Sequence, residues 1–98
     1  MDIVNAGVLA KGLVRGLQGS REDWGSETEL LCQFYELVGK AFEAKEVTLL
    51  GMSPELVACT LETQLDRTML TLPERERFVQ GLELLRTTNA EHFRVRIQ

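Results

Sequence analysis

Residues 26–44 read SETELLCQFYELVGKAFEA, and this stretch sets the architecture. Ser26 and Glu29 stand at the spacing of a capping box, in which each side chain satisfies the other residue's backbone amide at a helix start. Leu30, Leu31, Phe34, Leu37, Val38, Ala41 and Phe42 then recur as one apolar stripe of a helix that ends near residues 44–46. Tyr35 lies at the edge of the stripe, and Glu36 and Lys40 form a favourable i,i+4 pair on the outer side. A stripe this continuous must be laid on something, and the flanking sequence is read for what covers it.

Downstream, Ser53-Pro54-Glu55 combines an N-cap residue, proline at the first helical position and a carboxylate in the first turn. The helix it opens places Val57, Leu61, Leu65 and Met69 on a narrow stripe. Its outer side holds Glu62 and Asp66, a like-charge pair. Thr71 and Glu74 make a second capping box, with Pro73 in the first turn, and Phe78, Val79, Leu82 and Leu85 follow as its buried stripe. Gly81 stands inside that helix, where glycine costs about 1 kcal/mol relative to alanine unless close packing requires it. Asn89 is the expected stop. The expected core is Leu31, Phe34, Val38, Leu61, Leu65, Phe78, Val79 and Leu82.

Upstream, apolar residues from Ile3 to Leu17 recur at helical spacing, but Gly7, Gly12 and Gly16 interrupt them. This reads as a marginal N-terminal helix within residues 1–21. Gly12 and Gly16 share a face and permit the close approach of another backbone, so both are candidate partner-binding positions. Trp24, in the polar link that follows, is a candidate interface anchor.

Two short segments have the look of strands. Val47–Gly51 is apolar and partly β-branched. In the tail, residues 92–98, Phe93, Val95 and Ile97 alternate with Arg94, Arg96 and Gln98, the period of a half-buried strand. A strand needs a partner, so Phe93, Val95 and Ile97 complete the candidate binding set. The predicted fold is mainly α: a small bundle of three to four helices with a short C-terminal β-strand, in a single domain of residues 1–98.

The 98 residues carry a net charge of −4, unevenly spread. Residues 1–21 sum to +2, residues 22–66 to −8 and residues 67–98 to +2. Nucleic-acid binding needs a concentrated basic face, which this pattern does not supply. No apolar run approaches the roughly 18 residues of a membrane span, and Lys11 and Arg15 break up the N-terminal stretch as a secretory core. These features point to the cytoplasm.

The chemical inventory is thin. Cys32 and Cys59 lie far apart without metal-ligand spacing and read as buried thiols. His92 is the single histidine, and no glycine-rich phosphate loop is present. No catalytic, cofactor or metal site is expected. The sequence therefore reads as a non-catalytic protein-binding module, an adaptor, chaperone or regulatory subunit that binds a protein partner or self-associates. The alternative is a helix-turn-helix DNA-binding regulator built on the last two helices, with Arg75 and Arg77 at the recognition helix and the Arg94/Arg96 tail as a wing.

Overall fold

The structure, a computed structural model, describes residues 2–19, 26–42, 44–49, 53–65, 69–89, 93 and 95. In chain order these form β1 (Asp2–Asn5), α1 (Ala6–Gly19), α2 (Glu27–Phe42), β2 (Glu46–Leu49), α3 (Pro54–Leu65) and α4 (Leu72–Arg86). The fold is a small helical bundle with a two-stranded sheet.

The expected helix from Ile3 is shorter at its start, because the chain begins as a strand. β1 pairs antiparallel with β2, Asp2 opposite Leu49 and Asn5 opposite Glu46. The ladder runs one residue into α1, where the Ala6 amide donates to the Lys45 carbonyl at 2.8 Å. Asn5 then turns the chain: its Oδ1 accepts from the amides of Gly7 at 2.9 Å and Val8 at 3.3 Å, as an N-cap does. Ile3 and Val4 are β-branched and suit the strand.

The strand within the expected 47–51 segment, β2, therefore pairs with the N-terminal β1. Phe93 and Val95 belong to neither strand. Both are half-buried against the core. His92, Arg94, Arg96, Ile97 and Gln98 lie outside the described residues.

α2 is the central element, packed on α1 along one side and on α4 along the other. α4 in turn packs on α3, which also touches β2. The core is built by Leu9 and Leu13 of α1, Leu31, Phe34, Val38 and Phe42 of α2, Val57 and Leu61 of α3, and Phe78, Leu82 and Leu85 of α4. Phe78 meets Phe34 and Phe42 edge-on, with ring centroids 5.1 and 5.8 Å apart. That is the favoured geometry for aromatic quadrupoles.

The core differs from the sequence expectation at its margins. Leu30 and Val79 are 57% and 45% exposed. Each precedes or follows a true core residue by one position, about 100° around the helix. The stripe of α2 runs Leu31, Phe34, Tyr35, Val38, Phe42, so Tyr35 is buried, not at the edge. α3 ends at Leu65, which leaves Leu65 half-buried and Met69 fully exposed beyond the helix. Cys59 also faces outward, because Val57, Ala58 and Leu61 form the inner face; Cys32 is half-buried, and the two do not form a disulfide.

The N-caps of α3 and α4 follow the sequence, whereas among the described residues no hydrogen bond closes the expected Ser26–Glu29 capping box and the C-cap of α4 is Thr87 instead of Asn89. The Leu56 amide donates to Ser53 Oγ at 3.3 Å. The Glu74 amide donates to Thr71 Oγ1 at 3.3 Å, and the Thr71 amide to Glu74 Oε1 at 3.2 Å. α2 begins immediately after Ser26.

Gly81 is where α4 crosses α2. A Cβ built on Gly81 would lie 2.2 Å from Cγ and 2.3 Å from Cδ1 of Phe34. No carbon approaches another so closely, and the ring of Phe34 is fully enclosed. We expect Gly81→Ala to destabilise the protein by roughly 1–3 kcal/mol despite alanine's better helix propensity. Phe34→Ala should cost about 3–5 kcal/mol, and the double variant should cost less than the sum. Urea unfolding of the four proteins checks this; a stabilising Gly81→Ala would refute the close crossing.

Candidate functional site

Among the described residues a groove of about 850 Å³ lies between α1 and α2, on the side of their interface open to solvent. Its shape follows from residue size. Gly7 and Ala10 on α1 and Gly39 on α2 carry little or no side chain. A Cβ on Gly39 would sit 3.5 Å from Cβ of Ala10, so the two helices touch there almost backbone to backbone. Val14 and Tyr35 complete the apolar part of the lining.

Burial, with a smaller effect of neighbouring Cys32, raises the Tyr35 phenol far above its ordinary pKa of 10.0. The group therefore stays neutral at all physiological pH.

The rim is charged. Lys11 and Arg15, one turn apart on α1, are exposed and meet no carboxylate among the described residues. Lys40 faces them from α2, and Glu36 is the one acidic group in the lining. Sequence spacing pairs Lys40 with Glu36, but in the structure Lys40 Nζ donates to Glu74 Oε2 of α4 at 2.7 Å. Lys40 remains 68% exposed, so it contributes to the rim while tying α2 to α4.

The expected site residues distribute differently. Gly12 and Gly16 share a face, as their spacing requires, but that face is buried in the core and is not part of the groove. Phe93 and Val95 are half-buried on the core. Trp24 and Ile97 lie outside the described residues. The groove residues Gly7, Val14, Lys11, Arg15 and Gly39 escaped the sequence reading. A spacing pattern shows which residues share a helix face but not which neighbouring helix that face meets. The one legible sign was that Lys11 and Arg15 stand on the polar side of an otherwise apolar segment.

Elsewhere, Arg86 of α4 pairs with Glu62 of α3 and, at 3.4 Å, with Glu83. Among the described residues no three His, Cys, Asp or Glu side chains converge as a metal site, and no helix is long and apolar enough to cross a membrane. In comparisons with protein-family models, curated proteins and solved structures, none matches this chain.

Glu74 joins the groove to the fold. Its carboxylate accepts from Lys40, from the Thr71 amide and from the Thr71 hydroxyl at 3.0 Å. These bonds, that of Lys40 foremost, lower its pKa from 4.5 to about 2. A group whose pKa is depressed by folding stabilises the folded chain above its unfolded pKa and loses that contribution as pH falls. Stability should therefore decline between about pH 5 and pH 2, and Glu74→Gln should be less stable at neutral pH with a shallower decline. Denaturant unfolding across that range measures both; parallel curves for the two proteins would contradict it.

Proposed function

We propose that the protein is a non-catalytic protein-binding module, a small adaptor, chaperone or regulatory subunit that works through the groove between α1 and α2. The observation that carries this reading is the groove itself: a floor of small and apolar residues framed by charged side chains on two rigid helices. A groove of this kind suits an amphipathic segment, whose apolar face fills the floor while its polar flanks meet the rim. Met69, Leu72 and Val79 are exposed apolar side chains outside the groove.

The test compares the full chain with Val14→Arg, which projects a long charged side chain into the groove. Both are tagged and purified from the native source. A protein partner retained in stoichiometric amount by the wild type through a high-salt wash, and lost by the variant, supports the reading, provided the two proteins melt alike. If the wild type retains no protein and instead binds duplex DNA in a steeply salt-dependent manner, the helix-turn-helix regulator takes its place.

A further inference from the structure

We infer that the groove receives an acidic amphipathic helix from a protein partner. This rests on the reading of the groove as a protein-binding site and adds the chemistry of what fills it.

Three observations converge. First, the available cations stand on the α1 wall, Lys11 and Arg15, while on the α2 wall Lys40 is engaged by Glu74 and Glu36 adds the one carboxylate of the lining. An apolar trough with one positive wall is the complement of an amphipathic helix whose apolar stripe is flanked by carboxylates on that side. Second, Lys11 and Arg15 meet no carboxylate among the described residues, so their charge is available. They sit one helical turn apart, about 6 Å along the axis, which matches carboxylates spaced by one turn on an aligned helix. Third, the apolar part of the lining, Gly7, Val8, Val14 and Tyr35 beside the close Ala10–Gly39 seam, offers a surface for an apolar stripe. Small residues at such a seam bring helix axes together.

The same charges argue against other occupants. The whole chain is net −4, with −8 over residues 22–66. A nucleic acid or an anionic membrane extends far beyond the rim and meets that negative field. A short acidic helix feels mainly charges within a Debye length, about 8–10 Å at physiological salt. A second copy seated by two-fold symmetry would place one positive rim on another.

The experiment uses three peptides of about 18 residues with the same Leu/Ala stripe and flanks of Glu, Gln or Lys. Binding is titrated by the amide chemical shifts of Gly7, Val14 and Gly39 in the full-length protein. The Glu peptide should bind tightest and shift these three amides. The exposed double substitution K11E/R15E should weaken it about tenfold, strengthen the Lys peptide and leave the melting temperature unchanged. Equal affinity of the three peptides at the groove overturns the acidic partner while leaving the protein-binding reading intact. Absence of groove shifts with all three overturns both. Self-association by light scattering that K11E/R15E abolishes assigns the groove to a second copy and likewise overturns the proposal.

Discussion

The contact between Phe34 and Gly81 is the constraint on which the rest of the structure depends. α2 can bury its aromatic stripe only if α4 comes close enough for Phe78 to meet Phe34 and Phe42 edge-on. That distance leaves no room for a β-carbon at position 81. Glycine in a helix interior weakens that helix locally, and here the cost is offset by burial of the largest side chains in the core. Around this crossing the polar contacts are fixed in turn. Glu74 caps α4 and, through Lys40, ties it to α2. Arg86 ties the far end of α4 to α3.

With one side of α2 committed to α4, its other side is left for α1. The α1–α2 seam follows a different rule. It is lined with small residues on its outer edge, so the helices meet closely there and leave a trough instead of a ridge. The apolar residues of α1 are turned inward, which leaves Lys11 and Arg15 on the rim. Packing of the core thus creates the groove and gives it its charge. Lys40 belongs to both arrangements: its aliphatic stem and ammonium stand at the rim while its partner lies on α4.

The existence of the helices was legible because their signals are local. A capping residue acts within one turn, and a 3.6-residue stripe is a property of consecutive side chains. Ser53, Thr71 and Glu74 cap where their types and spacing say they should. Leu31, Phe34, Val38, Leu61, Phe78 and Leu82 are buried as their stripes require. The N-terminal strand was hidden because Ile3 fits a helical stripe as well as a strand, and only pairing with Glu46–Leu49 decides between them. Of the tail, Phe93 and Val95 are half-buried on the core, and the rest lies outside the described residues.

By itself, then, the sequence determined which segments are helical, where the three later helices begin and which broad face each turns inward, since these are set by neighbours within a few residues. Tertiary structure alone decided the strand pairing, the exposure of Leu30 and Val79 at the stripe margins, the transfer of Lys40 from Glu36 to Glu74, and the place of each glycine. Gly81 serves a helix crossing, Gly39 a seam beside Ala10, and Gly12 and Gly16 the buried face of α1. Each of these depends on a residue distant in sequence, and distances between such residues are fixed only when whole helices choose their packing partners.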